Sequence, residues 1–253
     1  MEIVSRAVGV FMKKYIMTEK TKVVDGHTLC RIKAVKDFGN VKAGDLGGWI
    51  EKETNLSHEG NCWVYADAKV FSCAQVLGNA IIGGNATVCG NATIDDDAFV
   101  YDNAMVSDYA RVFDNAEIYD NAKIFGYARV SNFASIGGNA KIFGYAEVYG
   151  WVQVFENVEI SGRATVFSYA KVSGYAQISG YAKVKGYAHI FDDAEIFGYA
   201  IVSDYAAVYG NAQISDIAQI YNYARVYGDA KIYGKARVSG NTEIFGKARV
   251  SQS

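Results

Sequence analysis

From residue 62 to residue 250 the chain repeats one arrangement of apolar and polar positions every six residues: a small apolar residue, a variable one, a branched apolar one, then three that are polar, aromatic or Gly. Stepping by six from Ala68 to Ala248 visits 31 positions, of which 28 are Ala; Val152, Val158 and Thr242 are the exceptions. Two residues after each of them stands Ile or Val, from Val70 to Val250 without exception. Cys62-Trp63-Val64 supplies one earlier copy with Cys in the small position. The phase never slips and no segment is inserted. A period of six matches neither the 3.6-residue helical turn nor the heptad, and Ile, Val, Tyr and Phe favour strands. Residues two apart on a strand share a face, so Ala and Ile/Val are predicted to point inward together. Two residues beyond each Ile/Val comes Gly, Asp or Asn in most copies, as at Gly78, Asp96, Asp114, Gly144 and Asn222. These residues tolerate turn and left-handed backbone. Each hexad therefore reads as a short strand followed by a corner.

A longer period gives the number of corners per coil. The residues just before the small position, taken every eighteen, include Asp67, Asn85, Asn103, Asn121, Asn139, Asn157, Asp193, Asn211 and Asp229 in one series. A second series contains Tyr109, Tyr127, Tyr145, Tyr181 and Tyr199, and a third Phe133, Trp151, Tyr169, Tyr187, Tyr205 and Tyr223. Three hexads thus make one coil, with like residues stacked above like. The predicted fold is all-β, a three-sided parallel β-helix of about 18 residues per coil; at ~4.8 Å between strands, ten to eleven coils give a prism roughly 50 Å long. The motifs I-x-G-N-A-x and I-x-G-Y-A-x over residues 62–250 resemble those of the hexapeptide-repeat proteins, the left-handed parallel β-helix family. The left hand is an implication of that resemblance, because parallel crossovers are otherwise almost always right-handed.

Residues before Cys62 carry no such repeat. KVVDGHTLCRI reads as two strands joined at Asp25-Gly26, a hairpin signal. A solenoid end offers unpaired strand edges, so the chain is divided into an N-terminal β-hairpin cap, 1–61 (with 13–61 as the covering segment), and a β-helix, 62–253. Trp63, Ile81 and Phe99, with Tyr65 and Tyr101 beside them, form too apolar a patch to stay bare, and the cap or another subunit is expected to cover it. The stretch KDFGNVKAGDLGGWIEKETNLSHEGNCWVYADAKVFS is similar to the N-terminal region of bacterial YdcK-like proteins, also met in phages and prophages. That group is labelled acyltransferase on account of its hexapeptide repeats. At the far end no cap is expected; Lys231, Lys235, Arg237, Lys247 and Arg249 are read as charges that discourage end-to-end stacking, the competing reading being a basic binding site.

Composition narrows the partners. With 253 residues, 51% apolar, the chain can bury a large core. A formal charge of −2 gives no reason to expect a nucleic-acid polymer or an anionic membrane. No apolar run approaches the roughly 20 residues of a membrane span, and MEIVSRAVGVFMKK lacks the order of a signal peptide, so a cytoplasmic protein is expected. Cys30, Cys62, Cys73 and Cys89 show no paired spacing and read as reduced thiols, not a zinc site.

The resemblance to hexapeptide-repeat acyltransferases implies a histidine acting as general base near a loop that leaves the helix. It also implies acetyl-coenzyme A in the groove between subunits of a trimer, and a helix closing the C-terminal end. The repeat region here has no excursion loop. Of three histidines, His27 lies in the predicted hairpin. His189 points outward between Ala188 and Ile190, with Lys171 and Ala207 one coil either side and Phe191 beside it, and no carboxylate on its own face to orient it. His58 sits in the irregular SHEGN stretch. Both are weak catalytic candidates, against the readings of a solvated surface histidine and a cap-packing one. Asp95-Asp96-Asp97 could bind a cation or could be a solvated corner. No phosphate loop, GxSxG or HExxH is present. No metal or cofactor is expected, acetyl-coenzyme A entering only with the transferase reading.

The aromatic surplus remains. On one face the residues following Ile/Val run Tyr65, Gly83, Tyr101, Tyr119, Gly137, Phe155, Ser173, Phe191, Tyr209, Tyr227 and Phe245, eight of the eleven aromatic. One reading is ladder stacking that shields strand edges, at ~0.5–1.5 kcal/mol per pair. The competing reading is an interface or ligand surface, with Tyr101, Tyr119, Phe155, Phe191, Tyr209 and Tyr227 as the binding candidates. The reading is a non-catalytic binding or scaffold solenoid that self-associates, a trimer being favoured by resemblance. One version is phage-borne and takes up a small metabolite or nucleotide. The alternative is an acyl-coenzyme A-dependent acyltransferase. Ice binding is set aside because Thr is scarce in the coils.

Overall fold

The computed structural model describes residues 13–252. The first twelve residues of the predicted cap lie outside that range. Between Trp63–Val64 and Arg249–Gln252 most strands are two residues long, each with Ile or Val in second place. They pair in parallel at a stride of eighteen: Phe99 with Ile81 and Glu117, Met105 with Thr87 and Lys123, Arg111 with Thr93 and Arg129. Three sheets result, of fourteen, eleven and ten strands, and they form the three sides of a solenoid of about eleven turns. Face A is the sheet that continues into the N-terminal hairpin, face B starts at Trp63–Val64, and face C starts at Gln75–Val76.

The interior is what the hexad pattern requires. From Ala68 to Ile232 the small and branched positions are at most 1% exposed, Val152 and Val158 included. Burying each Ile or Val contributes about 1.5–3 kcal/mol. The first residue of a two-residue strand donates its N–H to the carbonyl seventeen residues on, as from Phe99 to Ala116 and from Met105 to Ala122, both 2.9 Å. Main-chain bonds thereby tie each coil to its neighbour.

Corners take left-handed backbone, with φ of +58° at Asp108 and Asp114 and +54° at Asp216. Aspartate does two things there. It tolerates the positive φ better than most side chains, and its carboxylate accepts the corner N–H one coil on: Asp108 from Gly126 (2.9 Å), Asp114 from Asn132 (3.0 Å), Asp216 from Gly234 (2.8 Å). The predicted amide ladder is also present, Asn85 donating to Asn103 at 3.3 Å, Asn139 to Asn157 at 3.1 Å and Asn211 to Asp229 at 3.0 Å.

Strands β1 (Tyr15–Val24) and β2 (His27–Ala34) form the antiparallel hairpin expected at Asp25-Gly26, both turn residues having positive φ. Strand β3 (Leu46–Ile50) pairs antiparallel with β2 and parallel with Lys69–Val70, so face A changes from antiparallel to parallel at β3. The coil register reaches back beyond Cys62. Trp49 and Ile50 pair with Lys69 and Val70 at a stride of twenty, and Leu56 bridges to Val76 at the same stride. The two extra residues fall between Leu56 and Val64, in the Ser57–Cys62 stretch. Gly48 stands in an alanine position, where a Cβ would lie 2.5 Å from Val64 Cγ1 and 2.7 Å from the Ala68 carbonyl. The cap covers Trp63 completely, Phe38 meeting its ring edge-on at 5.3 Å and Tyr15 at 6.0 Å.

Candidate functional site

Two places gather chemistry-bearing side chains: the seam between cap and first coil, and a notch on face B. At the seam the irregular Ser57–Cys62 stretch presents carbonyls that have no preceding coil to donate to them. Lys14 supplies the donors. Its side chain is buried, and Nζ lies 2.8 Å from the Cys62 carbonyl, 3.2 Å from Gly60's, 3.4 Å from Glu59's and 3.3 Å from Cys62 Sγ. Burial lowers the Lys14 pKa and raises that of Cys62.

His58 belongs to this seam. Its ring stacks on Tyr15 at 4.4 Å, Nδ1 accepts the Lys14 N–H at 3.2 Å, and Nε2 lies 3.0 Å from Glu53 Oε1. Since Nδ1 accepts, the proton sits on Nε2 and is donated to Glu53. Glu53 also pairs with Lys13 at 2.6 Å, and these two partners, Lys13 first, hold its carboxyl below the usual range. Both His58 nitrogens are committed to the cap. A groove of about 390 Å3 runs beside it between Thr54 and Leu77. His27 is tied similarly, Nδ1 lying 2.8 Å from Glu51 Oε1 with the ring 4.9 Å from Phe71.

His189 stands on face B, its strand paired with Lys171 on one side and Ala207 on the other, as the stride of eighteen predicts. Neither His189 nor Lys171 makes a hydrogen bond or ion pair among the described residues. Desolvation, then the Lys171 charge, lowers the imidazole pKa. A groove of about 390 Å3 opens here, lined by Phe155, Lys171, Ser173, His189 and Phe191, with Glu156 and Asp192 at its corner edge. Those two carboxylates accept N–H groups of the next coil, Glu156 from Gly174 and Asp192 from Gly210.

The six aromatic candidates do not form one stripe. Tyr101 and Tyr119 stack at 5.5 Å. Phe191, Tyr209 and Tyr227 form a continuous stack at 4.6 and 4.8 Å that Phe245 extends. Phe155 stands between these groups. Rings of the two aromatic corner columns are the more exposed: Tyr145, Tyr199 and Tyr223 reach 55–59% against 38% for Phe155. They stack as Tyr109-Tyr127-Tyr145 at 4.9 Å and Tyr169-Tyr187-Tyr205-Tyr223 at 4.8–5.0 Å.

The Asp95-Asp96-Asp97 run is accounted for by the corner. Asp95 accepts the Asp96 N–H (2.8 Å), Asp96 the Asp114 N–H (3.2 Å) and Asp97 the Asn79 amide (3.0 Å). Among the described residues no group of three or more His, Cys, Asp or Glu is poised to hold a metal ion. The four cysteines are free thiols. No helix of the described residues is long and apolar enough to cross a membrane. Sequence reasoning missed Lys14 and Tyr15, since a lysine before a strand carries no sign that it will be buried. It also missed Ser173, although a serine interrupting an aromatic series was a visible signal.

Comparison with known proteins agrees with this architecture. The family described as YdcK Beta solenoid repeat matches residues 98–114. A protein of Escherichia coli (strain K12) named uncharacterized acetyltransferase YdcK is 44% identical over 62 residues, which is 21% of this chain and 19% of that protein. The match therefore spans about a fifth of the relative's length. Repeat, register and matched segments together identify the chain as a three-sided parallel β-solenoid resembling the YdcK proteins.

Proposed function

We propose that the protein is a non-catalytic solenoid that binds through its aromatic faces and associates with copies of itself. The observation that carries this reading is the state of the two candidate bases. His58 has both ring nitrogens engaged within the cap, and His189 has no carboxylate among the described residues bonded to it to fix its tautomer. Against that stands a surface with stacked, half-exposed rings along two corners and one face. Aromatic side chains are enriched in interface cores, and grooves between solenoids suit small flat ligands. A trimer with parallel axes remains the favoured assembly, by resemblance. Native mass spectrometry of the purified protein tests both parts: masses at multiples of 27.6 kDa and a retained small molecule are expected. A strictly monomeric, ligand-free protein would overturn the reading.

The second reading, an acetyl-coenzyme A-dependent transferase, draws support from the name of the Escherichia coli relative. Free-thiol release from acetyl-coenzyme A in the presence of amine and hydroxyl acceptors tests it. Turnover lost in His189→Ala or His58→Ala would establish it and displace the first.

A further inference from the structure

The aromatic ladders of this molecule are interrupted in several places, and side chains fill most of the interruptions described here with something flat. In one corner column Arg163 replaces a tyrosine, and its guanidinium lies 5.4 Å from the Tyr145 ring and 5.8 Å from the Tyr181 ring. On face B the Tyr119 ring lies over Gly137, occupying the space any Cβ would take. On face C, Ser131 separates Phe113 from Tyr149; there Arg129 lies 5.4 Å from the Phe113 ring and a space of only about 140 Å3 remains. On face A, Ser215 separates Phe197 from Tyr233, and beside it Gln213 and Glu195 satisfy each other at 3.1 Å.

The gap at Ser173 differs. Phe155 and Phe191 bound it, the groove measures about 390 Å3, and among the described residues no Phe, Tyr or Trp ring other than these two and no guanidinium lines it. Phe191 heads a continuous stack of four rings, so the face turned towards Ser173 has no ring partner. Two coils separate Phe155 from Phe191, about 9.6 Å. The filled ladders keep 4.0–5.5 Å between ring centroids, most of them 4.6–5.0 Å. One ring in the gap would therefore continue the ladder in register, stacked on both sides. The floor next to it carries Lys171 and His189, whose side chains make no hydrogen bond or ion pair among the described residues. Glu156 and Asp192 make the corner edge negative, so an anionic substituent is directed to the Lys171 side.

We propose that the notch at Ser173 binds one planar aromatic ring bearing an anionic group, with the ring between Phe155 and Phe191 and the anion beside Lys171. This deepens the binding function proposed above and rests on it. The test is calorimetric titration of the full chain with adenosine 5′-monophosphate, adenosine and ribose 5-phosphate. The expected order is monophosphate tightest, adenosine weaker, and ribose 5-phosphate weakest by roughly tenfold or more, since it lacks the ring. Ser173→Phe places a ring in the gap and is expected to abolish binding while leaving the melting temperature unchanged or raised. Should that variant fail to fold, Phe191→Leu removes one wall and is expected to weaken both ring-bearing ligands. Lys171→Gln should weaken the monophosphate and leave adenosine unchanged. The proposal falls if the monophosphate does not bind at millimolar concentration, if Ser173→Phe binds it as wild type does, or if ribose 5-phosphate binds as well. Native mass spectrometry separates the two readings: a small molecule retained equally by wild type and Ser173→Phe would remove this notch and leave the binding function standing.

Discussion

Lys14 is the clearest case of one side chain standing in for a piece of fold. Along the solenoid carbonyls such as those of Ala116 and Ala122 receive an N–H from the coil before, and at the first coil an ammonium takes that place. Lys14→Met is expected to leave buried carbonyls unsatisfied and to cost about 3 kcal/mol, measured by denaturant unfolding. At His189 the charge effect can be read directly. Burial and Lys171 both disfavour the imidazolium, so Lys171→Met should move the NMR titration of His189 upward towards 6.5. The linkage sign follows: a histidine with lowered folded pKa binds its proton more readily when unfolded, so its contribution to stability declines as pH drops below 6.5.

At the scale of the hexad, strand and corner make separate demands. The corner at Asp108 needs a positive φ and an acceptor for the Gly126 N–H. Asp108→Ala meets neither, and a loss of about 1–2 kcal/mol is expected in thermal unfolding. Asp108→Gly relieves the backbone and should lose less than half as much. Within the strand the demand is volume. Ile142→Ala opens a void between coils that main-chain bonds hold apart, at a cost of about 2–5 kcal/mol. The cap is an element of another kind, pinned by carboxylates: Glu51 by His27 and the Ser72 N–H, Glu53 by Lys13 and His58. Their pKa values are depressed, so they stabilise the cap at neutral pH and lose that effect as pH falls from 4.5 through the folded values. The stability difference between wild type and Glu51→Gln/Glu53→Gln, measured by circular dichroism melts, should therefore be present at pH 7 and vanish under acid conditions.

For the whole molecule, stacking of near-identical coils makes cooperativity a nearest-neighbour property. The periodic main chain gives each face the same backbone, and only the outward side chains distinguish them. That is why function is to be sought in the departures from the repeat. The seam at Ser57–Cys62, the arginine in a tyrosine column and the serine in an aromatic row are such departures. The last is the departure at which the proposed ligand notch lies.

The amino-acid sequence by itself determined the six- and eighteen-residue periods, the inward Ala and Ile/Val, the corners, the Asn ladder and the Asp25-Gly26 hairpin. Each of these depends on local backbone preference and on a neighbour one coil away, and a strict repeat writes both into its spacing. Tertiary structure decided the rest. The earliest coil, at Gly48 and Ile50, escaped notice because its stride is twenty. The commitment of His58 to Tyr15 and Lys14, some forty positions away, and to Glu53, five away, falls in a segment without a period. Which ladder gaps are closed depends on where Arg129, Arg163 and Tyr119 turn their flexible ends, and side-chain rotation is set by packing in three dimensions, not by the order of residues along the chain.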